Sequence, residues 1–194
     1  MVIAPSPYNR RKNMKIAAVL ANTREGSRAA KVAAQILAGA GEAGHEVVVY
    51  DLTEMPLLGC MNCHVCRKTP SLCVREDGLK AYFEDLENCD AVVISAPNYN
   101  SQPSGSMITF LNRHYCLLDA NKQPKLTHDL KLISVFAQGA PESYEAYQGN
   151  YRWYLSCFKT KRLIAEEPII VGGDSDLSED GEIMKKAHEM GKNL

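Results

Sequence analysis

Along this chain, short apolar runs alternate with stretches whose apolar residues recur every three or four positions. Residues 15–21 (KIAAVLA) form a nearly unbroken apolar run at strand length, and residues 46–51 (EVVVYD) are β-branched and strand-like. Further strands are expected at 91–96 (AVVISA), 130–136 and 168–171. Helical spacing marks 27–43, 77–88, 104–118, 143–160 and 178–192; in 77–88, Leu79, Tyr82, Phe83 and Leu86 fall on one face. The last stretch carries acids early and lysines late, which complements the helix dipole.

Five strands alternating with helices predict an α/β fold. Strands that are apolar on both faces belong in a parallel sheet covered by helices on either side. For this length the doubly wound, flavodoxin-like order 2-1-3-4-5 is expected, with ligands beyond the carboxyl ends of the strands at the switch point. No repeat or change of composition marks a second unit, so residues 14–194 are expected to form one domain. Residues 1–13 (MVIAPSPYNRRKN) lack the apolar stretch of a secretory signal and read as a flexible arm, with Met14 an alternative start.

Composition narrows the function classes. The chain has 194 residues, 45% hydrophobic and 23% charged, with a net charge of −1. That balance offers no basic field for nucleic acid or an anionic membrane. No apolar run reaches the roughly 18 residues of a membrane span. Seven cysteines is an odd number, and their uneven distribution fits a reducing cytoplasm better than an exported disulfide scaffold.

Four of those cysteines lie together. Cys60, Cys63, Cys66 and Cys73 read C-x2-C-x2-C-x6-C, in a segment expected to follow the second strand. Cysteine thiolates hold iron–sulfur clusters, and the bacterial ferredoxin run begins with the same spacing. A four-cysteine zinc site more often reads as two separated knuckles. A cluster is therefore favoured over zinc, redox-active thiols or free cysteines. His64, inside the run, reads as an exposed histidine, and Cys89, Cys116 and Cys157 as buried small hydrophobes.

Three strand-to-helix loops hold the remaining candidates. Asn22, Thr23, Arg24, Ser27 and Arg28 follow the first strand and open a helix, whose free N–H groups suit a phosphate. The same residues fit a plain helix start capped by Ser27. The loop is neither a Walker loop nor G-x-G-x-x-G. Pro97, Asn98, Tyr99, Asn100 and Ser101 follow the third strand and suit a flat amphipathic ring. Gln138 and Gly139 follow the fourth. No side-chain acid, base or nucleophile stands out as catalytic. The aromatic group Tyr144, Tyr147, Tyr151, Trp153 and Tyr154 suits a cover for such a ring, a dimer interface or core packing.

Over about residues 14–175 the chain resembles the flavodoxin-like, NAD(P)H-dependent FMN reductase superfamily, and with its cysteine motif the iron–sulfur flavoproteins within it. Arg24 stands where the family's phosphate loop carries arginine, although the Gly-Ser-Pro before it is absent. Pro97-Asn98-Tyr99 matches the P-x-Y loop of the isoalloxazine site, and Phe110-Leu111-Asn112-Arg113 an F-x-D-R-like helix end. The resemblance implies FMN on the three loops and a [4Fe–4S] cluster on Cys60, Cys63, Cys66 and Cys73. It also implies a homodimer or tetramer, with NAD(P)H or ferredoxin as electron donor and a small molecule or protein as acceptor. The alternatives are a clusterless reductase of quinones, nitro or azo compounds, and a flavodoxin-fold binding protein with structural zinc.

Overall fold

A computed structural model describes residues 13–22, 24 and 26–194. The expected arm, but for Asn13, and Thr23 lie outside the described residues. The sheet is built from β1 (Lys15–Leu20), β2 (Glu46–Asp51), β3 (Ala91–Tyr99) and β5 (Leu130–Ala137), ordered β2-β1-β3-β5 and parallel throughout. Two short strands share the fifth position: β6 (Leu163–Ala165) pairs with the start of β5, and β7 (Ile169–Val171) with its end. The expected order is therefore observed, with the fifth strand split around residues 166–168. β6 escaped the sequence reading because three residues are too few for a period.

Alternation places neighbouring strand residues on opposite faces. Ala17, Val19, Val92 and Ile94 join one core beneath α3 (Leu79–Asp85), α4 (Gly105–Arg113) and α5 (Glu145–Ser156). Ile16, Ala91 and Val93 join the other, beneath α1 (Arg28–Glu42) and α6 (Glu182–Lys192). Each helix is shorter than its periodic stretch. Three of the stretches finish in a 3-10 turn, at Leu86–Asn88, His114–Leu117 and Lys159–Lys161. Among the described residues no helix is long and apolar enough to cross a membrane.

Two features correct the expected loops. β3 runs three residues past Ala96 and turns back on β4 (Gln102–Pro103), pairing Asn98 with Pro103 and Tyr99 with Gln102. Asn100 and Ser101 at the tip have φ of 50° and 69°, the left-handed pair that a tight hairpin needs. The expected polar loop is thus a rigid hairpin beyond the carboxyl edge of the sheet. The second correction concerns Cys157, which is exposed, whereas Cys89 and Cys116 are buried as expected.

Candidate flavin and cysteine sites

Asn22 ends the first strand's apolar run and accepts the Ser95 hydroxyl on its Oδ1 at 3.2 Å. Its Nδ2 is buried without a partner. Arg24 is exposed. Ser27 accepts the Ala30 N–H at 3.3 Å and so caps α1. Arg28 departs from the expected arrangement: its Nη2 donates to the carbonyls of Gly172 and Ser175, both at 2.6 Å, tying α1 to the loop after β7. Its Nε is buried and unpartnered. Two unsatisfied donors beside the start of α1, at the positive end of its dipole, are what a bound phosphate would satisfy.

The second and third loops are joined by a residue that the sequence pattern did not single out for this role. Tyr151 on α5 is fully buried and stacks on Phe136 of β5, with ring centroids 4.5 Å apart and planes within 10°. Its hydroxyl accepts from Asn98 Nδ2 at 2.7 Å and donates to Gln138 Oε1 at 3.1 Å. Gln138 Nε2 in turn donates to the Pro141 carbonyl at 2.6 Å. Asn150, one residue earlier, holds the Ser101 carbonyl at 3.0 Å. The side chains of Asn98 and Gln138 are thus immobilised, leaving backbone groups and the half-exposed Tyr99 ring (49%) at the hairpin surface. A Cβ placed on Gly139 would meet nothing within 4 Å, so that turn leaves open space. Pro97 begins the hairpin, and its carbonyl accepts the Ser104 N–H at 3.0 Å. These elements fit a flat ring laid on a preformed surface.

The cysteine segment leaves β2 and enters a short helix, α2 (Val65–Lys68). Cys60 and Cys63 are exposed, Cys66 is buried and Cys73 is half-buried. All four line one cavity, together with Arg113 and Cys116. Asn62 and His64 hold left-handed backbone at φ of 53° and 58°. Alternating handedness of this kind turns successive N–H groups inward, as in the concavities that hold phosphates and iron–sulfur clusters. Among the described residues, no N–H from Cys60 to Val65 donates to a backbone carbonyl. The donor set and the free amides therefore fit a cluster. Among the described residues no three His, Cys, Asp or Glu converge as ligands of one metal ion. A tetrahedral zinc and a four-cysteine cluster alike need their sulfurs brought together. Burial raises the Cys66 thiol pKa while Lys125 opposes the rise. Burial pushes Cys116 up to about 12, so it stays a thiol. His64 is exposed, with its ring edge-on to Tyr115 at 6.1 Å.

The two sites meet α4 at opposite ends. Ser104, at its start, lies against the flavin loops and donates to the Ala21 carbonyl at 3.5 Å. Arg113, at its finish, lines the cysteine cavity. Nine residues at 1.5 Å each separate these ends by about 14 Å along the helix.

A profile of NADPH-dependent FMN reductases matches residues 14–140, which include every candidate loop residue from Asn22 to Gly139, the cysteine run and β5. The chain belongs to this family. Its fold is that of solved reductases. A NAD(P)H:quinone oxidoreductase from Methanothermobacter marburgensis superposes with a TM-score of 0.72 at 17% identity, covering 94% of this chain and 96% of that one. An FMN-dependent NADH-azoreductase from Bacillus anthracis, solved with FMN, gives 0.63 at 12% identity over 92% and 96%. An iron–sulfur flavoprotein of Methanocaldococcus jannaschii is 28% identical over 85 residues, 44% of this chain but only 42% of that protein.

Proposed function

We propose that this family member is an electron-transfer flavoprotein carrying FMN and a [4Fe–4S] cluster on Cys60, Cys63, Cys66 and Cys73. It would pass electrons from NAD(P)H or a one-electron donor such as ferredoxin to a small-molecule or protein acceptor. The observation that carries the reading is the shared cavity: four thiols line one space, in a segment whose amides from Cys60 to Val65 make no backbone bond among the described residues. The flavin supplies exchange between two-electron and one-electron chemistry, and the cluster supplies single-electron relay. The chain's own part is to hold them. The start of α1, with Asn22, Thr23, Arg24, Ser27 and Arg28, would anchor the FMN phosphate. The Pro97–Ser101 segment of the hairpin, with Gln138 and Gly139, would support the ring.

The test is iron, sulfide and flavin analysis of anaerobically purified protein, beside Cys63→Ala. The expected result is four irons per chain in the parent, loss of most iron in the variant, and FMN retained in both. Full iron and sulfide in the variant would remove Cys63 from the ligand set. Flavin without iron in the parent would establish the second reading, a clusterless reductase of quinones or azo compounds. That reading is favoured by the quinone and azo reductases among the solved relatives and by the lack of a metal-ion ligand group among the described residues.

A further inference from the structure

Arg113 is a fully charged side chain with 1% exposure, placed against thiols. Such a group is rarely buried unless paired. Its Nη1 donates to Asp77 Oδ2 at 2.5 Å and to the Leu58 carbonyl at 2.6 Å, and its Nη2 to Asp77 Oδ1 at 3.2 Å. Neither side chain of the pair is exposed to solvent. These bonds clamp the two flanks of the cysteine run, residue 58 before it and residue 77 after it, onto the end of α4. The guanidinium nevertheless keeps donor capacity: Nε is buried and unpartnered. Cys73 lines the same cavity as this group. Other cations near the cavity are differently engaged. Lys125 donates to the carbonyls of Cys66, Thr69 and Ser71, and Arg67 lies over the Tyr115 ring at 4.9 Å. Arg75 lines the cavity and is only half-buried.

We infer that Arg113 is the residue that sets the reduction potential of the cysteine-bound centre, by holding a fixed positive charge in the wall of the cavity that the four cysteines line, with Asp77 as its counterweight. The inference rests on the cluster reading above. Four thiolates gather negative charge in this cavity, and each added electron increases it. A buried cation beside one thiolate favours the reduced state, and hydrogen bonds to the sulfurs act in the same direction. Asp77 subtracts from that effect, because its carboxylate faces the same guanidinium. Arg113 is thus a positioning and tuning residue, outside the ligand set.

The pair gives opposite signs in one experiment. Parent, Arg113→Lys and Asp77→Asn are purified anaerobically, assayed for iron and FMN, and titrated with dithionite while the cluster signal is followed by electron paramagnetic resonance. Lysine keeps a charge but loses the fork and the Nε donor, so a lower potential is expected. A tenfold change in the reduced-to-oxidised ratio is the scale sought, about 59 mV for one electron. Asparagine removes the counter-charge, so a higher potential is expected, with iron unchanged in both variants. Equal potentials in all three proteins, or shifts of the same sign, would overturn the inference. Loss of iron from Arg113→Lys with an unchanged melting curve would also overturn it, because Arg113 would then merely hold the site together. Absence of iron from the parent would defeat the cluster reading itself, which the iron assay reports separately from the potentials.

Discussion

His114 shows how much a single core residue carries. It is fully buried, ringed by Tyr82, Phe83, Phe110 and Phe158 with centroids between 4.5 and 5.5 Å. A backbone carbonyl can only accept, so Nδ1 must carry the proton that it donates to Phe110 O at 2.9 Å. Nε2 is then bare and accepts the Tyr82 hydroxyl at 2.9 Å. Burial disfavours the imidazolium and lowers the pKa to about 3. The unfolded chain takes up this proton near pH 6.5. Between these values the unfolded state binds more protons, so stability falls as pH falls from about 6.5 towards 3. Chemical denaturation across that window should show a slope of up to about 1.4 kcal/mol per pH unit from this residue. A His114→Gln variant, less stable throughout, should lose that component of the slope. An unchanged slope would place the acid sensitivity elsewhere.

Among the elements, α1 and α6 make the tightest contact, and two glycines permit it. A Cβ on Gly39 would sit 2.1 Å from the His188 carbonyl oxygen, and one on Gly191 1.9 Å from that of Ile36. Glycine inside a helix ordinarily costs about 1 kcal/mol against alanine, so on an isolated helix Gly191→Ala would stabilise. Here the methyl group meets backbone, which has no rotamer to move to. The expected result is destabilisation of at least about 1–3 kcal/mol, the usual range for overpacking, read as a lower midpoint in urea. A neutral or raised midpoint would show that the helices separate without cost. The sequence marked both segments as helices. It could not show that they pack on each other, because a glycine's closeness to a distant carbonyl has no local signal.

For the whole molecule, aromatic side chains on and after the β3–β4 hairpin are exposed. Tyr99, Tyr144 and Trp153 are 49%, 46% and 71% exposed. Trp153 stacks edge-on with Tyr154, whose hydroxyl reaches Gln102 of the hairpin at 3.3 Å. Exposed aromatics gathered beside a binding surface mark an interaction site. They motivate a homo-oligomer. Light scattering of the holoprotein at micromolar concentration should give at least twice the chain mass of 21.4 kDa. The single-chain mass would overturn this.

The alternation of apolar runs and helical periods was enough, by itself, to determine the parallel five-position sheet and its order. Both faces of each strand must be covered, and few topologies do that. The cysteine spacing and the three loops were legible for a similar reason, since short-range chemistry is written in neighbouring residues. Tertiary structure decided what depends on distant partners. It tied Arg28 of the first loop to the carbonyls of Gly172 and Ser175 after β7 and made Tyr151 the link between Asn98 and Gln138. It buried Arg113 with Asp77 beside the cysteines, and it carried the cysteine segment to the far end of α4. In each case a side chain found a partner tens of residues away, and only the folded chain sets such distances.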